Sequence, residues 1–252
     1  MMSKKVFIGV GHGGKDSGAV GYLVEKEVNL IEALACRDFL EAHGVQVLMS
    51  RTSDKDDSLN DEIKECNAFS PDLAISVHNN AGGGDGFECF YHYKGGTSKT
   101  LAENIEAEVK AIGQNLRGCK IRLNSSGTDY YGLIRETACP AIIVEGCFVD
   151  NEADVQIADS VEEQKAFGAA YAKGILKTLG ISIKEKPEQL KPSSNAKYYV
   201  QVGAYASKEN AENSYRKQKT PDSPTPSCVW SRRPIRGHSL LRISRNFARD
   251  FT

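Results

Sequence analysis

Two histidines and two glutamates stand where a folded chain could gather them. His12 follows the run Val6-Phe7-Ile8-Gly9-Val10 and sits inside a glycine-rich turn, Gly11-His12-Gly13-Gly14. His78 ends a second run, Leu73-Ala74-Ile75-Ser76-Val77, and Glu145 ends a third, Ala141-Ile142-Ile143-Val144. Glu25 opens the amphipathic stretch that returns from the first run. The ends of parallel strands are where open α/β sheets collect their chemistry. Two imidazoles and a carboxylate make a donor set for a catalytic zinc ion with a fourth position open. A further carboxylate not bound to the ion can move a proton between water and a leaving group. Each residue also has an ordinary explanation. A lone strand-end histidine is commonly structural, and Glu25 and Glu27 suit the first turn of a helix, where the dipole favours negative charge. Two such histidines with two placed carboxylates tip the balance toward a metal site.

The same turn invites a nucleotide reading. Gly9 to Lys15 fits G-x-x-x-x-G-K, but Asp16 stands where a magnesium-holding Ser or Thr is required, and a carboxylate there repels phosphate. Gly9, Gly11 and Gly14 fit G-x-G-x-x-G, but the next helix begins too late to aim its N-terminus at a pyrophosphate. His43, near a helix C-terminus, and His92, on a strand surface, are needed by neither chemistry.

Positioning these groups requires strands and helices in alternation. Lys5–Val10, Val45–Arg51, Leu73–His78 and Pro140–Gly146 read as strands, and Gly86–Tyr93 as an edge or half-buried strand. The stretch from Glu25 to Leu40 carries Val28, Ile31, Leu34, Ala35 and Phe39 at helical spacing, and Gly44 ends it. Further helices are expected over Leu59–Phe69, Ser98–Gly113 and Glu162–Leu179. Residues 117–135 read as irregular. The pattern predicts an α/β fold, three layers αβα around a mostly parallel twisted sheet of about six strands.

The domain expectation is a catalytic unit over 1–180, a Lys-, Glu-, Pro- and Ser-rich linker over 181–196, and a small α+β unit over 197–252. In that last unit Tyr198–Tyr205 reads as a strand and Lys208–Lys219 as a helix. From Pro221 onward lysine vanishes and six arginines appear among Pro and Ser. No strand or helix period is visible before Ser239. This stretch reads as an altered reading frame rather than a functional basic tail.

Composition narrows the function classes. The chain has 252 residues and a formal net charge of −1, which argues against a dedicated nucleic-acid binder. No run approaches the ~20 apolar residues of a membrane span. Met1-Met2-Ser3-Lys4-Lys5 leads into the first strand with no apolar segment of a secretory signal, so synthesis in the cytoplasm is the expectation. The seven cysteines are odd in number and lack any C-x-x-C pair, which suits free, mostly buried thiols.

Six blocks then follow one family in order. They are Gly11-His12-Gly13-Gly14-Lys15-Asp16-Ser17-Gly18-Ala19; Glu25-Lys26; Leu48-Met49-Ser50-Arg51-Thr52; Ile75-Ser76-Val77-His78-Asn79-Asn80-Ala81; Leu133-Ile134-Arg135; and Pro140-Ala141-Ile142-Ile143-Val144-Glu145-Gly146-Cys147-Phe148. They resemble the zinc-dependent N-acetylmuramoyl-L-alanine amidases of bacterial cell-wall turnover and phage lysis, over Lys5 to about Gly180. The resemblance implies one Zn²⁺ held by His12, Glu25 and His78, with Glu145 as catalytic acid/base. Glu27 is the rival for Glu25, but the family's ligand precedes the lysine. Asn80 and Arg135 are candidate substrate-positioning groups.

Two departures are visible. The family usually has Asp-Pro before Gly-His, where this chain has Gly9-Val10, and it often has an arginine where Glu62 falls. Lys197–Lys219 looks like the first half of a SPOR domain, a peptidoglycan-binding module. An amidase followed by SPOR is similar to mother-cell lytic enzymes of spore formers and to some phage endolysins. The resemblance therefore implies peptidoglycan as partner, action on the wall after release by mother-cell lysis or a phage holin, and no nucleic acid. A monomer is expected. The rival functions are a non-catalytic wall-binding protein and a zinc peptidase cutting within the stem peptide.

Overall fold

The computed structural model describes residues 3–183, 198–205, 227–235 and 238–245. The chain divides into two compact units, Met1–Lys184 and Glu185–Thr252. In the first, strands β1 (Lys5–Val10), β2 (Gln46–Met49), β3 (Leu73–Asn80), β4 (Phe87–Tyr91), β5 (Leu116–Lys120) and β6 (Ala141–Phe148) form a six-stranded sheet in the order β2-β1-β3-β6-β4-β5. β2, β1, β3 and β6 run parallel. β4 lies antiparallel to β6, and β5 parallel to β4. Helices α1 (Glu25–Ala42), α2 (Leu59–Phe69), α3 (Thr97–Ala111), α4 (Gly132–Glu136), α5 (Glu152–Val155) and α6 (Val161–Thr178) complete the unit. The expected mostly parallel sheet of about six strands is present, with one antiparallel pair, β4 on β6.

Alternation along the strands sorts the core into two faces. Val6, Ile8, Val10, Leu73, Ile75, Val77, Ile142 and Val144 face α1, α3 and α6, whose Cys36, Leu40, Leu101, Ile105, Phe167 and Ile175 close over them. The other face carries Phe7, Ala74 and Ala141, covered by Ile63 and Cys66 of α2 and Leu133 of α4. Each fully buried Ile, Leu or Phe contributes roughly 1.5–3 kcal/mol, so the first face supplies most of the stability. The second is covered only near the strands' N-terminal ends. Farther along, Gly9, Ser76, His78, Ile143 and Glu145 share that face. A cleft opens there.

Four details differ from the sequence reading. β4 is an interior strand, with Phe87, Glu88 and Cys89 buried, and not an edge. The true edge is β5, in a stretch that read as irregular. Its sequence Leu-Arg-Gly-Cys-Lys carries no clear alternation, and charged residues on a short strand are how sheets blunt an edge. α4 was also unread, since five residues are too few for a helical period. In α1 the buried face is Glu25, Val28, Asn29, Glu32, Ala33, Cys36 and Leu40, whereas Ile31, Leu34 and Phe39 are only partly buried. Polar residues occupy the inner stripe because they pair with one another behind the site.

In the second unit β7 (Tyr198–Tyr205), β8 (Ser227–Ile235) and β9 (His238–Arg245) form an antiparallel sheet in the order β7-β9-β8. β7 matches the expected strand. β8 was not expected, because Ser231-Arg232-Arg233-Pro234 breaks the apolar alternation by which a strand is read. The helix expected over Lys208–Lys219 lies outside the described residues, as does residue 184–196 of the linker.

Cys36, Cys66, Cys89, Cys119, Cys139 and Cys147 are free and buried or partly buried. Among the described residues, no helix is long and apolar enough to cross a membrane.

Candidate metal centre and active site

His12 is held in an unusual backbone state. Its φ is 61°, a left-handed conformation that costs a non-glycine residue of order 1–3 kcal/mol. Paired backbone hydrogen bonds between Gly13 and Asp16 stabilise the tight turn, at 2.8 and 3.0 Å. Arg51, almost fully buried, donates to the carbonyls of Val10 (3.1 Å), Gly11 (3.0 Å) and Lys26 (2.8 Å), tying the end of β1 to the start of α1. Asp16 Oδ2 lies 2.8 Å from His12 Nδ1. That contact fixes the ring and leaves Nε2 facing inward, the usual way a carboxylate orients a metal-binding histidine.

Nε2 of His12 lies 3.1 Å from Glu25 Oε1, and Nδ1 of His78 lies 3.1 Å from the same oxygen. Val24, the N-cap residue of α1, makes no side-chain cap hydrogen bond. Its first carboxylate instead accepts from Ala19 N at 2.8 Å and turns into the site. Ligand atoms of His12, Glu25 and His78 all lie within 4.8 Å of one another. One acceptor-only carboxylate and two imidazoles directed at one point are a donor set that fits a divalent ion. Glu27, the rival, is exposed and outside the cluster.

Electrostatics follow from this crowding. The hydrogen bond to Glu25, opposed by burial and helped by Asp16, pushes His12 up to about 9. Burial acts downward on His78, but Glu25 and the charge of Glu145 outweigh it and raise it. Burial acts upward on Glu25, yet its hydrogen bonds with both histidines hold it well below the usual carboxylate range.

Glu145 lies beside His78, in register across β3 and β6. β6 continues three residues past it, so it is a mid-strand residue at the cleft rather than a strand end. Burial, with the charges of Glu25 and Glu88 added and those of His78 and His12 opposing, pushes Glu145 up to about 7. Among the described residues no lysine or arginine pairs with it. The neighbouring carboxylate Glu88, in register on β4, is by contrast neutralised by Arg117 (Nε to Oε2, 2.9 Å) and Lys120.

A cavity of about 270 Å³ adjoins the cluster, lined in part by His12, His78, Glu62, Tyr131, Leu133 and Ile143. Gly9 and Glu62, the two departures from the family pattern, meet here. A Cβ on Gly9 would fall 1.6 Å from Glu62 Oε1, so the glycine makes room for the carboxylate. Gly11 is equally constrained, because a Cβ there would lie 2.2 Å from His78 Cε1. Gly11→Ala is expected to displace that imidazole, weaken metal binding at the cluster and cut activity about 100-fold, since ångström-scale misplacement has that cost. Metal analysis beside a rate assay checks both.

Asn80 and Arg135 are engaged within the protein. Asn80 donates to Glu88 Oε1 (2.7 Å) and accepts from Ala81 N (2.8 Å). Arg135 donates to the carbonyls of Asp129 and Tyr130, each at 2.8 Å, fixing the turn that carries Tyr131 into the cavity. Sequence reasoning missed Asp16 as the partner of His12. Its position four residues on was the available signal. It also missed Glu88, for which the sequence held no signal.

Comparison with known proteins decides the family. Residues 6–177 match Amidase_3, N-acetylmuramoyl-L-alanine amidase. The chain belongs to this amidase family. The sporulation-specific N-acetylmuramoyl-L-alanine amidase of Bacillus subtilis is 36% identical over 214 residues, 83% of this chain and 78% of that protein. Among solved structures, Cwp6 from Clostridium difficile is 37% identical with a TM-score of 0.69, over 71% of this chain but only 30% of that one. The catalytic domain of the amidase CwlV from Bacillus (Paenibacillus) polymyxa gives a TM-score of 0.64 at 28% identity, over 71% of this chain and 99% of that one. The six-stranded unit is thus an amidase catalytic domain and the chain an enzyme of this family. The family match ends before the region that looks like SPOR.

Proposed function

We propose that the chain hydrolyses the amide between the lactyl carboxyl of N-acetylmuramic acid and L-alanine in peptidoglycan, using one zinc ion held by His12, Glu25 and His78. The supporting observation is the convergence of these three donors beside Glu145, with which no lysine or arginine pairs among the described residues. Bound there, the ion would supply Lewis acidity, making water more acidic and the amide carbonyl more electrophilic. Glu145 takes a proton from the attacking water as the oxygen bonds to the carbonyl carbon. As the C–N bond breaks, Glu145 returns that proton to the nitrogen of the departing L-alanine. A carboxylate near 7 can hold and release a proton at neutral pH, as both halves require. Asp16 keeps His12 oriented. Leu133, Ile143 and Tyr131 wall the cleft against bulk water. Asn80 and Arg135 act one step back, by holding Glu88 and the Tyr131 turn.

Mass spectrometry of digested peptidoglycan tests the bond. Stem peptides with a free L-alanine N-terminus, together with muramic residues bearing a free lactyl carboxylate, are expected. New N-termini within the stem would make the chain a peptidase, and intact wall would make it a binding protein.

A further inference from the structure

We propose that Glu32, Asn79 and Asn29, anchored by Tyr171, form a buried positioning relay that fixes Glu25 for the metal ion. The hydrolysis above uses none of these groups, yet all lie in the core. Asn29 and Glu32 are fully buried and Asn79 nearly so. Burying polar groups costs free energy unless they are paired; Oε1 of Glu32 has no hydrogen-bond partner, and the partners of the other groups lead in one direction.

Backbone groups at both ends settle how the amides point. The Gly11 carbonyl can only accept, so Asn29 presents its Nδ2, at 3.0 Å. The same nitrogen reaches Glu25 Oε1 at 3.4 Å. Asn29 Oδ1 then faces Asn79, which must donate, at 2.9 Å. Asn79 Oδ1 is left to accept from Cys147 N at 2.9 Å, a group that can only donate. The second hydrogen of Asn79 Nδ2 points to Glu32 Oε2 at 3.4 Å, and Tyr171 Oη donates to that oxygen at 3.2 Å. Asn79 N also donates to Glu25 Oε1 at 3.2 Å. Every hydrogen of both amides is used, so neither can flip without stranding a buried group. The relay runs from α6 through α1 and β3 to the metal-facing oxygen of Glu25. Gly146 belongs to it by absence, since a Cβ there would lie 2.5 Å from Tyr171 Oη and 2.8 Å from Asn79 Oδ1.

The inference rests on the reading of His12, Glu25 and His78 as the metal ligands. Its consequence is that Glu32, remote from substrate, sets zinc affinity. Outer partners of metal ligands typically carry 10–100-fold in affinity. Zinc competition against a chromophoric chelator measures it, on metal-stripped protein, with thermal melting of the zinc-free form as the folding control. Glu32→Leu is expected to weaken zinc binding by about 10–100-fold. Glu32→Gln keeps an oxygen for both donors and is expected to retain most of the affinity, whereas Glu32→Leu keeps apolar bulk at the position and removes the acceptors. Tyr171→Phe removes one hydroxyl from the anchor and serves if Glu32→Leu does not fold. A smaller loss in the same direction is expected. Unchanged affinity in Glu32→Leu or, where that variant does not fold, in Tyr171→Phe, or an equal loss in Glu32→Gln and Glu32→Leu, overturns the relay while leaving the ligands in place. Failure of the wild-type chain to bind one equivalent of zinc overturns the ligand reading itself.

Discussion

Glu145→Gln is expected to lower wall hydrolysis by about 10²–10⁴-fold, the range general acid–base catalysis supplies, while zinc binding persists. Glutamine keeps the shape and polarity of the side chain but can neither take the proton from water nor return it to the amine. Glu145 lies outside the donor cluster of His12, Glu25 and His78, so metal content should hold. Two carboxylates compete for the role on this face, because burial also pushes Glu62 up to about 7. Geometry separates them. Glu145 sits in register beside His78. Glu62 is 8% exposed, and its Oε1 is sealed over Gly9 without a partner. Glu62→Gln is therefore expected to cost far less than Glu145→Gln. Single-turnover release of stem peptides, with metal analysis of both variants, checks the ranking. Equal losses would move the proton-transfer role off Glu145.

What the sequence disclosed follows from how each part encodes itself. β1, β3 and β6 are buried on both sides, so each writes a continuous apolar run, and any polar residue at its end stands out. His12, His78 and Glu145 were legible for that reason. Glu25 was legible as one of two acids, and only burial separates it from Glu27. Elements whose form depends on neighbours left no trace. β5 is a strand because β4 offers it a ladder, not because Leu-Arg-Gly-Cys-Lys alternates. α4 is a single turn held by Arg135 and Tyr131. The inner stripe of α1 was misread because Asn29 and Glu32 look like solvent residues in one dimension. They are buried because Asn79 and Tyr171, some 50 and 139 residues away in sequence, supply their partners. Pairings at such separations are invisible to any local period.

Zinc uptake is expected to depend steeply on pH, in the direction opposite to the stability of the zinc-free protein. Without the ion, His12 is raised from 6.5 to about 9 by its hydrogen bond to Glu25, so it is a cation at neutral pH. A raised pKa means that folding favours the protonated form. The stabilisation is fully present below about pH 6.5 and is lost as pH rises through about 9. With His12 as a ligand, as proposed above, zinc needs its lone pair, so binding must expel that proton. For one expelled proton, affinity climbs about tenfold per pH unit until His12 has titrated, near 9. The zinc-free melting temperature should therefore fall between pH 6.5 and 9 while the zinc-induced increment grows. Calorimetric titration at pH 7 in buffers of different ionisation enthalpy should show close to one proton released by His12 per zinc, plus whatever His78 contributes. Weakening the cation's partner should flatten the profile: Asp16→Asn removes one of the two carboxylates that hold the proton on His12, and it also removes the group that orients the ring. Its zinc affinity is then expected to fall most at high pH, where orientation alone matters, and least at low pH, where the lost proton-holding charge offsets it. A uniform loss at every pH would mean that Asp16 orients His12 without raising it.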